Sequence, residues 1–433
     1  MLAALSVAGV ASAQNNSPYS RYGLGDIVPN THVVNRSMGG ITAGDADYLH
    51  INFNNPASYS QFAVGTEPRS GKVIAGRVLL DGGINLENRT LRAPNQPLKF
   101  TSSDLYFSYL QIGIPIRKGW GIAFGIRPLS RISYTINQYS RTAALDSLFT
   151  QYSGNGGTYL PSIGTGVAIK NFSIGVNVGY LFGRREISTF VAPLNDTVLY
   201  YNILRKSETS FGNLFLNGGV QYKIDIDKSH FLRLGASGNA RQALKASQDS
   251  TIGTFTTDPN DPLTDTVYRV EGYKGKVIYP ASYTIGFVFA GMNEKTSSAW
   301  QVGADLVHTS WSQYRFYGAK EPLQSTTQIR LGGQFQPAPS RAYLSRVVYR
   351  AGFYTGKDYT TAGGNLPVWG ASAGLGLPIG NYNPLGRGQS TIINLALEYN
   401  SRGNNKNPLK DNVFRLSLGL NFSDLWFNKR KYD

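Results

Sequence analysis

Apolar and polar side chains alternate with a period of two along most of the chain. In FSIGVNVGYLFG (172–183), every second residue is aromatic or branched, and the residues between them are glycine, serine, asparagine or leucine. TIINLALEYN (391–400) and VFRLSLGLNF (413–422) repeat this pattern. Because successive side chains of a strand point to opposite faces, each run predicts a strand with one apolar face and one small or polar face.

The same alternation occurs along most of the rest of the chain. It predicts fourteen strands, over 68–86, 103–116, 119–136, 157–170, 172–188, 206–224, 230–245, 268–291, 299–313, 325–337, 345–357, 367–379, 390–401 and 411–424. Several are longer than the roughly 9–11 residues that a tilted strand needs to cross a bilayer, which indicates that they extend beyond the membrane.

The connections between these strands alternate in length. Arg117-Lys118-Gly119 and Lys170-Asn171 are tight turns, whereas 137–156, 189–205 and 246–267 are long. Short turns on one side and long loops on the other, around an even number of strands, are typical of outer-membrane barrels. We therefore predict an all-β fold, a transmembrane antiparallel β-barrel of about fourteen strands, with both ends of the mature chain on the periplasmic side.

Two soluble folds offer an alternative interpretation of the alternation. A β-sandwich would also bury its apolar faces, but its outer faces normally carry more Lys, Glu and Thr than these faces do. A propeller would require a fixed repeat, and the sequence has none. The pattern favours the membrane barrel.

Composition adds the cellular context. The 433 residues include no cysteine, which excludes disulfides, thiolate metal sites and a lipid-anchored cysteine, and the formal net charge is +16. The apolar start MLAALSVAGVASAQ ends in Ala11-Ser12-Ala13, which resembles a signal-peptide cleavage site; a short buried helix is the alternative. Export argues against a nucleic-acid partner, and it makes outer-membrane lipids or an anionic ligand the better match for the positive charge.

A glycine-rich segment precedes the first predicted strand. Within it, Asn55-Pro56-Ala57 predicts a fixed corner, because the residue before proline is pushed out of the helical region. We expect this segment to lie in the barrel lumen or at its periplasmic mouth. The predicted divisions are a signal peptide over 1–13, a hatch or plug segment over 14–67, and the barrel over 68–433.

The same segment carries a resemblance to a known family. Met38-Gly39-Gly40, then Ala43, Asp45 and Asp47, then Asn55-Pro56-Ala57, resemble the N-terminal hatch signature of the FadL-like outer-membrane transport proteins. NSPYSRYGLGD (16–26) resembles the start of a subgroup of such barrels whose transported substrate is not established. The resemblance implies fourteen strands, a hatch turn at Gly39, Gly40, Asn55, Pro56 and Ala57, and transport of long-chain fatty acids or other hydrophobic compounds.

The family resembled here also has a kink in the third strand that opens the wall towards lipid. Pro128, in the third predicted strand, is the residue to which this feature carries over. A proline inside a strand removes a hydrogen bond of the ladder and usually marks a bulge or an edge. The alternative is a proline above the membrane, where the strand leaves it.

Six arginines fall in phase with the lumen face of their strands, namely Arg127, Arg233, Arg241, Arg330, Arg350 and Arg415. Arginine facing lipid at the midplane would cost roughly 2–4 kcal/mol, whereas a lumen tolerates it. In one interpretation they pair with carboxylates such as Asp45, Asp47, Asp305 and Glu398 and anchor the plug. In the other they contact the head of an anionic ligand.

Signals for catalysis or metal binding are weak. Gly370-Ala371-Ser372-Ala373-Gly374 matches G-x-S-x-G but lies inside a predicted strand, not at a strand–turn–helix elbow. The histidines His32, His50, His230 and His308 lack metal-ligand spacing, and His308 and Asp305 should point to opposite faces. Asp258, Asp261 and Asp265 are a calcium candidate, but a solvated turn is the simpler explanation. We predict neither an enzyme nor a metal or cofactor.

Two functions follow from these observations. The first is an outer-membrane barrel that transports hydrophobic or amphipathic, fatty-acid-like solutes. The second is a non-transporting structural or assembly subunit of an outer-membrane secretion or biogenesis complex. The first predicts a lipid-like ligand in the lumen, and the second predicts a sealed lumen and stable envelope protein partners.

Overall fold

A computed structural model describes residues 17–66, 73–94, 96–97, 99–142, 145–194, 200–256, 265–293, 296–361, 364–379 and 390–426. The predicted signal peptide lies outside these residues, and so do the boundary between the predicted segment and barrel, the loop over 380–389, and Asp258 and Asp261 of the acidic loop. No helix among the described residues is long and apolar enough to cross a membrane.

The described strands form one sheet of nineteen strands in which each pair is antiparallel. The strands are β1 (Asp26–Ile27), β2 (Val64–Thr66), β3 (Val73–Arg92), β4 (Lys99–Arg117), β5 (Trp120–Thr142), β6 (Leu145–Ile169), β7 (Phe172–Leu194), β8 (Asn202–Asp225), β9 (His230–Asn239), β10 (Gln242–Phe255), β11 (Asp265–Tyr279), β12 (Ser282–Met292), β13 (Ala299–Thr309), β14 (Arg315–Phe316), β15 (Thr326–Gln336), β16 (Val348–Lys357), β17 (Pro367–Ile379), β18 (Ser390–Arg402) and β19 (Lys410–Trp426).

Fourteen wall strands close into a barrel when the last strand, β19, pairs with the first long strand, β3, from Lys410↔Arg92 to Trp426↔Gly76. The count treats β9 with β10, and β11 with β12, as single wall strands, and it leaves out the short β1, β2 and β14. The prediction of a fourteen-stranded transmembrane barrel is confirmed.

Two wall strands are interrupted at the same height. β8 pairs with β9 at one end and with β10 at the other. β9 in turn pairs with β12, and β10 pairs with β11. Ala240-Arg241 separates one pair of segments, and Pro280, which has no N–H to donate, lies between the other two. Arg241, which was predicted to face the lumen, lies in this interruption and is exposed.

Burial along the wall follows the alternation in the sequence. In β7, Ile174 and Tyr180 are each 50% exposed on the outer face, whereas Ser173 and Asn177 are buried on the inner face. An apolar outer band around a polar interior is the arrangement that a transmembrane barrel requires. We call the end of the barrel with the turns at 118–119, 170–171 and 226–229 the short-turn end, and the opposite end the long-loop end.

Candidate functional site in the barrel lumen

Residues 17–62, which we call the lumen segment, lie inside the barrel. The segment contains a 3₁₀ turn (Pro18–Arg21), β1, the short helix α1 (Val33–Ser37) and a second 3₁₀ turn (Pro56–Gln61). Its first described residue, Ser17, donates its N–H to Ser133 O of β5, far from the short-turn end of that strand. This differs from our expectation that the mature chain begins at the short-turn end.

The Asn-Pro-Ala sequence forms a corner that fits into the wall. Asn55 Oδ1 accepts a hydrogen bond from Ala57 N at 3.2 Å, and Asn55 Nδ2 donates to Ala43 O at 2.7 Å. A side chain on Gly175 of β7 would overlap the backbone of Pro56. The corner therefore needs both its own asparagine and a glycine in the facing strand.

The second predicted hatch element, Gly39-Gly40, follows α1. Both glycines have positive φ angles, +67° and +83°, which side chains other than glycine rarely adopt. A Cβ on Gly39 would lie 2.5 Å from Leu331 O of β15, and a Cβ on Gly352 of β16 would overlap Gly39 N. Backbone therefore packs directly on backbone here.

Arg36 of α1 connects the lumen segment to both strands at which the barrel closes. Its Nη1 lies 2.5 Å from Asn85 Oδ1 of β3 and 2.9 Å from Ser417 Oγ of β19. Its Nη2 donates to the carbonyl oxygens of Pro29 and Thr31 at 2.8 Å. Arg36 was not predicted from the sequence, because it lies outside the strands, where the alternation of side chains gives no direction.

Buried histidines and carboxylates hold the middle of the segment. His50 Nε2 lies 2.9 Å from Asp45 Oδ2, and Nδ1 lies 3.7 Å from Asp47 Oδ2. Burial opposes the charged form, but the two carboxylates outweigh it and raise the pKa of His50 to about 10. Burial instead lowers the pKa of His32, although Asp81 lies 3.3 Å away. His50 is thus charged at neutral pH, and His32 is neutral.

Wall side chains also bind the backbone of the segment directly. Asp305 Oδ2 of β13 accepts the N–H groups of Thr42 and Ala43, at 2.6 and 2.9 Å. Arg233 donates to Ala46 O at 2.8 Å, and Arg330 donates to Gly40 O at 3.0 Å. Two of the predicted lumen arginines therefore contact the segment, though through carbonyl groups and not through carboxylates.

Arg415 belongs to a buried ion-pair network on β18, β19 and β3. It contacts Glu87 at 2.9 Å and Glu398 at 2.8 Å. Arg89, next in the network, contacts Glu87 at 3.0 Å and Asp411 at 2.7 Å. Arg415 is thus paired twice.

Asp26 of β1 joins the lumen segment to the same network. It lies 3.1 Å from Arg89 and 2.8 Å from Arg402, and Arg402 also contacts Asp358 at 2.7 Å. Burial opposes ionisation of Asp26, but the two arginines hold its pKa below the usual value. Asp26, Arg89 and Arg402 were not singled out from the sequence, although Arg89 follows the same inward phase as Glu87.

Arg350 lies nearer the short-turn end and has neutral partners. Its Nε donates to Gln334 Oε1 at 3.1 Å, and its Nη1 donates to Asn394 Oδ1 at 3.0 Å. It lines a small cavity of about 70 Å³ together with Asp47, His50 and Arg346.

Arg127 of β5 differs from the other four. It is 5% exposed, and its Nε and Nη1 have no hydrogen-bond partner among the described residues. Its guanidinium lies 4.5 Å from the centre of the Phe53 ring. It borders a cavity of about 360 Å³ whose apolar lining includes Leu129, Leu160, Phe215, Tyr279 and Trp311.

The wall is interrupted beside Arg127. β4 and β5 pair from Arg117↔Trp120 only to Leu110↔Ile126, although both strands continue well beyond. A bulge follows on β5 between Pro128 and Ser130. Pro128 therefore lies where the two strands part, and we call this interruption the β4–β5 gap.

The lumen segment binds the edge of β5 that β4 has left. Asp26 and Ile27 pair with Arg131 and Ser130, and Val28 N donates to Leu129 O at 3.1 Å. Farther along, Arg131 forms an ion pair with Asp104 of β4 across the gap. β1 thus replaces β4 as the neighbour of β5 over this stretch.

The remaining motifs take no part in a catalytic arrangement. Ser372 is a buried wall residue whose Oγ accepts the N–H of Gly39 at 3.0 Å. His308 lies 2.9 Å from Thr327 and stacks on Tyr283, whereas Asp305 on the same strand is buried against the lumen segment. Among the described residues, no group of three or more His, Asp or Glu side chains is placed to hold a metal ion.

Solved structures share this fold at low sequence identity. A Pseudomonas aeruginosa FadL homologue matches with a TM-score of 0.56 and 12% identity, over 93% of this chain and 99% of that chain. The CymD monoaromatic hydrocarbon channel matches with a TM-score of 0.53 and 12% identity, over 91% and 97%. The Ralstonia pickettii toluene transporter TbuX gives 0.52 and 13%, over 91% and 98%. The resemblance to FadL-like barrels is confirmed for the fold.

Comparison of the sequence itself gives a more specific assignment. No curated protein matches the chain. A sequence model of the family described as BamG matches residues 1–433, which is the whole chain. The chain therefore belongs to the BamG family.

Proposed function

We propose that this protein is a non-transporting barrel of the outer membrane that serves as a structural or assembly subunit of a secretion or biogenesis complex. The observation that carries the proposal is the number of wall strands that hold the lumen segment. Side chains or backbone of β3, β4, β5, β13, β15, β17 and β19 hydrogen-bond to it.

A plug that must move to admit solutes would be expected to have few buried polar contacts with the wall. Here, instead, Asp305 and Arg330 bind its backbone, and Asp26 enters a network of buried ion pairs. Breaking a buried pair by removing one partner typically costs 3–5 kcal/mol. Several such contacts together favour a segment that stays in place while the barrel acts through its surface.

The comparisons are compatible with this proposal. The structural neighbours named for hydrocarbon or toluene transport are only 12–13% identical to the chain, so they support the fold and not the transported solute. The family that matches the whole chain is described as BamG, and this description names no transported solute. Membership in the family thus adds nothing in favour of solute uptake.

The proposal is tested by purifying the full-length protein from its native membrane with an affinity tag. We expect stoichiometric co-purification of other envelope proteins and, after depletion of this protein, lower amounts of other outer-membrane barrels. Reconstituted alone in planar bilayers, it should conduct no ions. A protein that purifies alone, and whose depletion leaves other barrels unchanged but abolishes uptake of a hydrophobic solute, would contradict the proposal.

Transport of an amphipathic anion is the second candidate, and one observation favours it. Arg127 is a buried arginine beside an apolar cavity and the β4–β5 gap, and two of its nitrogens have no hydrogen-bond partner among the described residues. A carboxylate head at Arg127 and an alkyl tail among Leu160, Phe215 and Trp311 would suit this cavity chemically. The gap at Pro128 would then be the exit towards lipid.

This second candidate predicts different behaviour of two variants. With a spin-labelled long-chain carboxylate as the probe, Arg127→Gln should weaken binding about tenfold, since a hydrogen bond to a charged group contributes about 1.5–3 kcal/mol. Pro128→Ala should alter release and leave binding unchanged. Arg350→Gln is the matched control, because Arg350 lies elsewhere in the lumen. Equal binding by all three variants would leave only the assembly function.

A further inference from the structure

Three cations form a row across the outer rim of the wall. Lys410 of β19 is the cross-strand partner of Arg92 of β3, and Arg92 is in turn the partner of Lys99 of β4. Directly opposite residues have Cβ atoms about 4.5–5.5 Å apart, and like charges in that position repel each other. The wall therefore concentrates three positive charges where pairing with acids would have been more stable.

No acidic group in the described part of the chain forms an ion pair with these three cations. None of the three side chains has a carboxylate within 4 Å among the described residues. The two loops at the row, 93–98 and 403–409, contain no Asp or Glu, and the second adds Lys406. This contrasts with the lumen, where Arg89 and Arg415 each contact at least two carboxylates.

The row lies at a defined distance from the apolar band. The alternation along each strand places the row of cations on the same outer face as Phe414, Leu86 and Leu105. These three side chains are 50%, 48% and 64% exposed. Two rows separate the cations from the row of Leu86: Phe414, Asn88 and Ser103, and then Asn412, Thr90 and Thr101. Going outwards, the surface changes from apolar to neutral polar to cationic.

This order matches the layers of a lipid leaflet. Four residues along a strand span about 13 Å, so the cations lie roughly 10 Å above Phe414 along the membrane normal at the usual strand tilt. The headgroup zone extends about 5–8 Å beyond the hydrocarbon, and arginine and lysine stems reach back over that difference. The cationic groups are therefore at the height of lipid phosphates.

We propose that Arg92, Lys99 and Lys410 form a binding site for the phosphate groups of an anionic lipid in the leaflet at the long-loop end. Exposed apolar side chains below the row contact the acyl chains, and the row holds the headgroup. The guanidinium of Arg92 accommodates phosphate oxygens in a bidentate manner, and the two lysines add point charges on either side. This site is independent of what the lumen does.

The test uses the intact barrel in detergent and two triple variants. Arg92→Gln with Lys99→Gln and Lys410→Gln removes the row. Lys118→Gln with Lys170→Gln and Lys228→Gln removes the same charge from exposed positions at the short-turn end. Native mass spectrometry measures binding of lipid A with two phosphates, of the same lipid after phosphate removal, and of inorganic phosphate.

We expect the row variant to bind diphosphorylated lipid A about tenfold more weakly than the unchanged protein, and the control variant to bind it normally. Dephosphorylated lipid should bind all three proteins equally weakly. Equal loss in both variants, or no loss in either, would overturn the site. Equally tight binding of inorganic phosphate would show a free-anion site and contradict the lipid assignment. Unchanged heat-modifiable mobility confirms that both variants are folded.

Discussion

Two regions of the lumen wall differ in how a buried arginine is paired. On β18, β19 and β3 the strands pair without interruption, and Arg415 contacts both Glu87 and Glu398. At β4 and β5 the pairing stops at Leu110↔Ile126, and Arg127, one residue beyond, leaves two nitrogens without partners. The first region contributes ion pairs between wall strands, and the second places an arginine without an ion pair beside a cavity.

The difference shows that an inward position does not determine the role of an arginine. A buried charge is stable only when it is paired and hydrogen-bonded. Arg415 meets this condition within the wall, whereas Arg127 lies against the face of Phe53 and forms no ion pair with a carboxylate among the described residues. We therefore expect the first region to respond to mutation through stability, and the second through ligand binding.

The largest effect is expected at Arg415. Arg415→Gln leaves Glu398 without its cation and removes one of the two cations that contact Glu87. The free energy of unfolding should therefore fall by about 3 kcal/mol. The temperature at which the barrel loses its heat-modifiable mobility measures this loss. Arg415→Lys, which keeps the charge, should recover part of it. If Arg415→Gln melts at the normal temperature but no longer binds the spin-labelled long-chain carboxylate, the distinction between the two regions is wrong.

The next effect concerns pH and the middle of the lumen segment. The pKa of His50 is raised in the folded protein to about 10, so its ion pairs contribute fully below the ordinary value near 6.5 and are lost as the pH rises towards 10. Heat resistance should therefore fall between pH 7 and pH 10. His50→Gln should be less stable at pH 7 and show a flatter pH profile, and an unchanged profile would contradict the assignment.

A smaller loss is expected where the segment packs on the wall. Gly352→Ala places a Cβ against Gly39 N, and overpacking of this kind costs about 2 kcal/mol. Gly218→Ala is the matched control, because the nearest atom to its Cβ would be Gly175 O at 3.9 Å. Equal melting of the two variants would show that the segment does not pack tightly against β16.

The smallest effect on stability is expected at Arg127. Arg127→Gln removes a charge that has no carboxylate partner, so the free energy of unfolding should change by less than about 1 kcal/mol. Melting of this variant beside Arg415→Gln gives the most direct test of the comparison. A loss as large as that of Arg415→Gln would mean that Arg127 is a structural residue and that the cavity has no separate role.

The sequence predicted the wall better than it predicted the contents of the barrel. Alternation identified β7 and β19 because successive side chains of a strand point to opposite faces, here the lipid and the lumen. The same argument placed Arg415 in the lumen, but its partner Glu87 lies 328 residues away and its partner Glu398 lies 17 residues away. Pairing of that kind depends on the closed barrel, which periodicity does not describe.

Local rules also failed where two elements meet. Pro128 signalled an irregularity, yet nothing in its neighbourhood indicates that β1 occupies the freed edge of β5. Arg241 follows the alternation predicted for its strand, but the structure places it in the interruption at Ala240-Arg241, where that alternation no longer applies. The corner at Asn55-Pro56-Ala57 is different, because it forms its own hydrogen bond, from Ala57 N to Asn55 Oδ1, and such a local contact is accessible to a local rule.

Arg36 has a consequence for the order of assembly. The barrel becomes a closed ring only when its first and last wall strands meet, and Arg36 holds one hydrogen-bond acceptor on each, Asn85 and Ser417. The lumen segment precedes both strands in the chain, and Arg36 contacts both of them. We therefore expect the ring to close around the lumen segment, with the Arg36 guanidinium hydrogen-bonded to both β3 and β19. Barrels carrying Arg36→Gln should close more slowly than barrels of the unchanged protein, as measured by the rate at which the heat-modifiable form appears on refolding.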